Sequence, residues 1–364
     1  MVTPATTELS VIAPPVAAGG IGRYTETLCD RLDAAGARSE RWPIGDGRGP
    51  IAAAATAFKA IREADVLVQF EYGFFRPKLL IWWTFLVPLV VGRLMWERQI
   101  VVTMHEVWTP ETVGRFQFLY IWVVHFTIAA TATDIVFMTP ESEADFRAGT
   151  TTTTHQIPHG VPVDDSRDIS LETARETFGY DEMDTVVAQI GYISKRKGTE
   201  TVVELANQRP EMELLIAGGA RRSEDQPYVD QIKAISGQNV QLTGVLDETA
   251  FHHAFVAADV VVLAYRDIRQ SGILNWCFAY GVPVVCRSIP RFRSVASECS
   301  GVVLFNGGPE ALGEKIDIAV EARDKLSGAM QAYANQHDFD NIAKSYLNIM
   351  GSKTASDDSA SRQV

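Results

Sequence analysis

No apolar run in this 364-residue chain is long enough to span a bilayer. The longest, Leu79–Val91, is broken by Pro88 and followed by Gly92 and Arg93, short of the ~20 residues a spanning helix needs. Cysteine is scarce as well. Cys29, Cys277, Cys286 and Cys299 form no Cys-x-x-Cys and no Cys/His set at zinc spacing, which fits buried or free thiols in a reducing cytosol. The N-terminal stretch MVTPATTELSVIAPP has neither a cationic start nor an unbroken apolar core, so no signal peptide is expected. Lysine is sparse, and 33 basic against 45 acidic residues give a formal net charge of −12. A chain that acidic lacks the basic face that a phosphate backbone requires, so nucleic acid is not an expected partner. No fixed-period repeat is visible. The 46% apolar fraction, with 27 Gly and 16 Pro, excludes collagen-like, coiled-coil and disordered classes.

What is there is alternation. The length suggests two domains of ~150 residues or somewhat more. In the first half, Leu9–Ala13, Val66–Phe70, Ile100–Thr103, Ile135–Met138 and His155–Ile157 read as strands, and Arg23–Ala35 reads as a helix. Pro162 to about Asp184 is rich in Asp, Ser and Glu and reads as a boundary followed by a helix. Strands are then expected at Val186–Ile190, Leu214–Ala217, Val240–Leu242, Val260–Ala264 and Val282–Cys286. Helices are expected at Gly198–Asn207, Glu248–Ala257 and Gly272–Tyr280. Such alternation implies βαβ units and two doubly wound parallel sheets, whose ligands bind at the carboxyl ends of the strands. From Gly351 to Val364 the residues are small and polar, and a disordered tail is expected.

Five loops carry the chemistry. Gly19-Gly20-Ile21-Gly22 follows the first strand and opens a helix; it is either a tight turn or a place where backbone N–H groups meet an anion. A dinucleotide fingerprint from Gly20 would need a third glycine where Thr25 stands, so a nicotinamide oxidoreductase reading is disfavoured. His105-Glu106 directly follows a strand, where an imidazole can hold a polar substrate. His159, in Pro158-His159-Gly160, ends another strand. Gly191-Tyr192-Ile193-Ser194-Lys195-Arg196-Lys197-Gly198 puts three cations at the mouth of a helix, an anion site by charge and dipole together or else a solvated basic loop. Arg266-Asp267-Ile268-Arg269-Gln270-Ser271-Gly272 ends on a hydroxyl and glycine at another helix start.

In this order, Gly-Gly-Ile-Gly, His105, Ile157-Pro158-His159-Gly160, Gly-Tyr-Ile-x-x-x-Lys-Gly and Gln-Ser-Gly-x-Leu…Ala-x-Gly-x-Pro-Val-Val resemble GT-B-fold retaining glycosyltransferases. The group is the nucleotide-sugar-dependent family 4 type, glycosyl transferases group 1, and the resemblance runs from about Leu9 to Met350. It implies two Rossmann-like domains facing a cleft: an acceptor-side domain over 1–168 and a nucleotide-sugar domain over 169–336. A C-terminal helix over 337–350 would return to the first domain, with the tail at 351–364. It also implies metal-independent transfer with retention, from a UDP- or GDP-sugar co-substrate and without a cofactor, to a lipid-linked or polysaccharide acceptor. His105 and Lys197 would be catalytic, and Gly20, Gly22, Arg196, Lys197, Ser271 and Gly272 would hold the donor phosphates. Asp267, Gln270 and Trp276 would meet the donor sugar or ribose.

The chain departs from that pattern. The paired Glu of typical members fall at Ile268 and Trp276, and the usual Arg partner of Lys197 falls at Tyr192. A catalytically silent GT-B partner or scaffold subunit is the alternative these losses suggest.

Five of the seven Trp lie between Trp82 and Trp122, in FFRPKLLIWWTFLVPLVVGRLMWERQ and the FQFLYIWVVHFTIAA stretch beyond it. These are either buried helices of the first domain or a surface that docks on the cytoplasmic face of a membrane, with Trp82, Trp83 and Trp96 as contacts. The protein is expected in the cytoplasm, with the membrane surface as its candidate peripheral location.

Overall fold

The computed structural model describes residues 7–18, 20–45, 49–72, 85–113, 115–146, 152–163, 168–268 and 271–360. The chain divides into two units, Met1–Gly160 with Phe339–Val364, and Val161–Asp338.

In the first unit the elements run β1 Glu8–Ala13, α1 Gly20–Ala34, β2 Arg38–Pro43, α2 Pro50–Glu63, β3 Asp65–Phe70 and α3 Leu86–Trp96. They continue with β4 Ile100–Met104, α4 Pro110–Val113, α5 Arg115–Thr131, β5 Asp134–Phe137, α6 Pro140–Asp145 and β6 Thr153–Gln156. The six strands are parallel, in the order β2-β1-β3-β4-β5-β6. β3 and β4 are central and carry unbroken buried runs, because a parallel sheet is covered by helices on both faces. Side chains of α2, α3 and α5, including Ala60, Leu89 and Val124, fill one face. Leu28 and Tyr24 of α1 fill the other.

The second unit runs α7 Leu171–Phe178, β7 Val186–Ile190, α8 Thr199–Gln208, β8 Glu213–Ala217, α9 Gln226–Ile235, β9 Val240–Leu242 and α10 Glu248–Ala257. It continues with β10 Val260–Leu263, α11 Gly272–Tyr280, β11 Val284–Arg287, α12 Pro290–Glu298, β12 Val302–Phe305, α13 Pro309–Glu321 and α14 Arg323–Gln336. Its six parallel strands are ordered β12-β11-β10-β7-β8-β9. At the amino edge, Asp259 receives Arg175 of α7 at 2.9 Å and Arg323 of α14 at 3.1 Å. It also accepts the Val186 N–H at 2.9 Å. A buried carboxylate so fully satisfied ties both helices to the sheet, and removing one partner of such a set costs about 3–5 kcal/mol.

The last helix, α15 Phe339–Ala360, belongs to the first unit. Tyr346 meets Thr103 of β4 at 2.9 Å, and Gln99 donates to the Ile349 carbonyl at 3.0 Å.

Two boundaries differ from the sequence reading. The chain passes between units at Gly160/Val161, not at 168/169. Val161 is already buried in the second core and bridges Asp338, while Gly160 lies under Phe339, so the polar stretch after Pro162 begins inside the second unit. The segment expected as a tail continues α15 as far as Ala360; it holds no proline, and extending a formed helix needs no new nucleus. Residues 361–364 lie outside the described residues.

Candidate functional site

In an open α/β sheet the strand order reverses at a switch point, and ligands bind beyond the carboxyl ends there. The second unit reverses between β7 and β10, the first between β1 and β3. Each unit therefore has one edge where its topology favours a site.

Beyond β7 the chain turns at Gly191, with φ +97, and winds through a short 3-10 turn, Lys195–Lys197. Gly198 ends that turn in the left-handed region with φ +63, and a Cβ there would stand 2.3 Å from the Ala264 carbonyl after β10. Only glycine lets the two loops of the switch point come so close. Arg266 N–H donates to the Arg196 carbonyl at 2.8 Å and joins the loops again.

This folding places Lys197 over its own loop. Its Nζ would be 3.0 Å from a Cβ at Gly191 and stands 5.2 Å from the centre of the Tyr265 ring. No carboxylate pairs with it among the described residues. Desolvation, and then the neighbouring Arg196, lower the ammonium to a pKa of about 8. Arg266, by contrast, is paired with Glu200, which also receives the Tyr228 hydroxyl. Ser271 caps α11 by accepting the Leu274 N–H at 3.2 Å. The N–H groups of Gly272 and Ile273 are left at the open end of that helix, positive in potential. A Cβ on Gly272 would meet nothing within 4 Å. A desolvated, unpaired ammonium beside a helix N-terminus is suited to an anion.

The edge of the first unit is different. His105, directly after β4, is 4% exposed and its Nε2 donates to Gln69 Oε1 at 2.7 Å. Burial, with a further contribution from His159, lowers its pKa to about 3, so the ring is neutral. Its Nδ1, an acceptor in that tautomer, has no partner among the described residues. Tyr24 of α1 lies edge-on to His105 at 5.1 Å and also touches His159 at 4.7 Å. Gly22 is enclosed: a Cβ would lie 2.4 Å from the Pro15 carbonyl, so this glycine serves the packing of α1. Gly20 faces open space.

The remaining candidates are scattered. Arg196 and Asp267 are exposed. Gln270, Trp82 and Trp83 lie outside the described residues. Trp276 packs edge-on against His252 at 4.9 Å and Phe251 at 6.1 Å, so its indole is engaged with α10. Trp96 is partly buried, edge-on to Phe58 of α2 at 5.6 Å. Among the described residues no helix is long and apolar enough to cross a membrane, and no group of three His, Cys, Asp or Glu could hold a metal ion.

Gln69 and Gln189 escaped the sequence reading. Gln69 orients His105, and Gln189 donates to the Lys197 carbonyl at 3.1 Å. Each is a lone polar side chain in an otherwise apolar strand, VLVQF and VVAQI. That is a legible signal, since a buried amide needs a partner. Tyr265, under Lys197, carried no such mark.

Residues 171–337 match the family model described as Glycosyl transferases group 1. The matched span contains Lys197, Ser271 and Gly272. His105 and the glycines of α1 lie outside the matched span. No curated protein matches the chain by sequence. Among solved structures, Anabaena Alr3699/HepE in complex with UDP is similar, with TM-score 0.72 and 15% identity over 95% of this chain and 100% of that one. Sucrose-phosphate synthase (tll1590) from Thermosynechococcus elongatus gives 0.70 and 17%, over 96% and 100%. WaaG, a glycosyltransferase involved in lipopolysaccharide biosynthesis, gives 0.60 and 14%, over 94% and 100%. With its two parallel six-stranded sheets, the chain has the GT-B fold.

Proposed function

We propose that the chain is a glycosyltransferase that moves a sugar from a nucleotide-sugar donor to a lipid-linked or polysaccharide acceptor, with retention of configuration. The observation that carries the reading is Lys197, a desolvated ammonium without a carboxylate partner at the switch point of the matched span. At neutral pH a group of pKa about 8 is mostly protonated, and a bound diphosphate would hold it so. The HepE structures, solved with UDP and with UDP and glucose, support a nucleotide sugar as the donor class. WaaG, named for lipopolysaccharide biosynthesis, supports a lipid-linked acceptor.

In this reading the bond between the anomeric carbon and the diphosphate oxygen breaks, and the acceptor hydroxyl bonds to the same carbon on the same face. Its proton passes to the departing phosphate oxygen. Lys197 and the N–H groups at the start of α11 stabilise the charge that develops on that diphosphate without a metal ion, as pre-set donors do in other transferases. The neutral His105 accepts a hydrogen bond from a sugar hydroxyl at Nδ1. Gly20, Arg196, Ser271 and Gly272 complete the phosphate contacts, and the protein works in the cytoplasm.

A second reading has one observation in its favour. Ile268 and Trp276, at the positions where typical members carry Glu, are both packed against the second core. That would suit a subunit that binds a donor or a partner without transferring sugar. The two readings separate when the protein is incubated with a panel of UDP- and GDP-sugars. Slow donor hydrolysis, lost in Lys197→Ala, with the released or transferred sugar keeping its anomeric configuration by proton NMR, is the expected result. No hydrolysis and no transfer with any donor, with or without a thermal shift, would favour the silent subunit.

A further inference from the structure

Sixteen large apolar side chains are exposed among the described residues, and ten of them lie on α2, α3 and α5. These three helices cover the same face of the first sheet. On α5, Leu119, Trp122, Val123 and Phe126 stand at i, i+3, i+4 and i+7, with Leu119 67% and Phe126 54% exposed. On α3, Val87, Val91, Leu94 and Met95 stand at i, i+4, i+7 and i+8, also one helical face, with Leu94 at 79%. The inward sides of the same helices, Leu86, Leu89, Ile121 and Val124, are buried in the core. α3 and α5 are thus apolar all round, which a helix facing water on one side is not. α1, on the opposite face of the sheet, shows Arg23, Asp30 and Asp33 to solvent instead.

Charge selects the occupant. α2, α3 and α5 contain Lys59, Arg62, Arg93 and Arg115 against Glu63 alone, 4 − 1 = +3, in a chain of −12. We infer that the outer face of α2, α3 and α5 docks on an anionic phospholipid bilayer, its apolar side chains entering the headgroup boundary and its cations meeting lipid phosphates. A second copy of the chain fits less well, because a two-fold interface sets the same cations against each other. Within the Leu79–Trp96 stretch expected from sequence, Leu94 and Met95 take the surface while Trp96 turns inward, and Trp122 and Phe126 of α5 extend the face. The inference rests on the acceptor reading above, since a lipid-linked acceptor is reached from a membrane. Vesicle binding is measured without any sugar transfer, so the two can fail separately.

The test is flotation of the full chain with phosphatidylcholine vesicles, with and without phosphatidylglycerol. Wild type is expected to float with the anionic vesicles. Leu94→Ser/Met95→Ser/Trp122→Ser/Phe126→Ser should bind at least about tenfold more weakly. Lys59→Gln/Arg62→Gln/Arg115→Gln should lose about fivefold per cation on anionic vesicles. Wild type remaining in solution with phosphatidylglycerol vesicles, or a serine variant that floats as well as wild type, overturns the inference. So does a wild-type dimer by light scattering that the serine variant breaks into monomers. Should the serine variant melt early, the cation variant decides: unchanged flotation overturns the inference, and loss supports it.

Discussion

The two switch-point edges solve the same problem in opposite ways. In each unit a penultimate strand glutamine, Gln69 or Gln189, supports the segment that carries a basic side chain. In each unit burial strips water from that base. In the second unit the ammonium of Lys197 keeps its proton at neutral pH, with a pKa of about 8 and no carboxylate to neutralise it. In the first unit the imidazole of His105, with a pKa of about 3, gives its proton up. Desolvation of equal sign therefore leaves a cationic edge and a neutral one, because the two groups start from reference values ~4 units apart. The cationic edge suits a diphosphate. The neutral edge suits hydroxyl groups.

The largest effect that separates the edges is expected from charge removal. Lys197→Ala should lower transfer by about 10²–10³-fold, as loss of one charge-stabilising donor does. Its melting temperature should stay close to wild type, because Lys197 makes no ion pair among the described residues. His105→Asn should leave donor affinity unchanged while transfer falls. Equal loss of donor affinity in both variants, by calorimetry, would erase the distinction.

Acid should act on the first unit. His105 and His125, the latter held at a pKa of about 4 by burial, stay neutral in the fold but gain protons when unfolded below about pH 6.5. Stability should therefore be fully present above pH 6.5 and decline as pH falls toward the folded values. At pH 5 the loss is about 2 kcal/mol for each histidine. Thermal melts at pH 7.5 and pH 5 check this, and His125→Phe should flatten part of the slope.

A smaller effect splits the two glycines of α1. Gly22→Ala drives a Cβ toward the Pro15 carbonyl and should cost about 1–3 kcal/mol. Gly20→Ala meets open space and should be neutral or stabilising by up to about 1 kcal/mol. Denaturant unfolding of both variants compares them directly. A Gly20→Ala protein that folds normally but binds donor poorly would support Gly20 as a phosphate contact, and unchanged donor binding would remove it from the site.

The buried strands were legible because parallel sheets need continuous apolar runs. Val186–Ile190 and Val240–Leu242 were read with the bounds they have, and Glu248–Ala257 and Gly272–Tyr280 likewise as helices. β2, Arg-Ser-Glu-Arg-Trp-Pro, escaped because it is an edge strand paired only with β1 and half open to water, so it carries no apolar pattern. Lys197 stood out as a cation in an acidic chain. Its partner Tyr265 did not, since an aromatic at the end of an apolar strand reads as core, and burial indeed pushes its phenol up. Gly22 read as a ligand glycine, and its packing against Pro15 depends on a turn that residue type alone does not reveal. The tryptophans were counted, but the choice between core and surface stayed open: Trp96 packs inward while Trp122 faces out. Such orientation follows from which helix faces meet the sheet, and the sequence spacing of α5, apolar on every side, leaves that open.

The most direct test is the affinity of UDP and GDP for wild type and Lys197→Ala, measured by calorimetry from pH 6.5 to 9.5. Deprotonation removes the positive charge, so wild-type affinity for the bound nucleoside diphosphate should be level below pH 8. Above it, affinity should fall by up to about tenfold per pH unit. Lys197→Ala should bind at least about tenfold more weakly at pH 7, with that limb gone. Equal affinity and an unchanged pH profile in the two proteins would contradict the assignment of the cationic edge to the diphosphate.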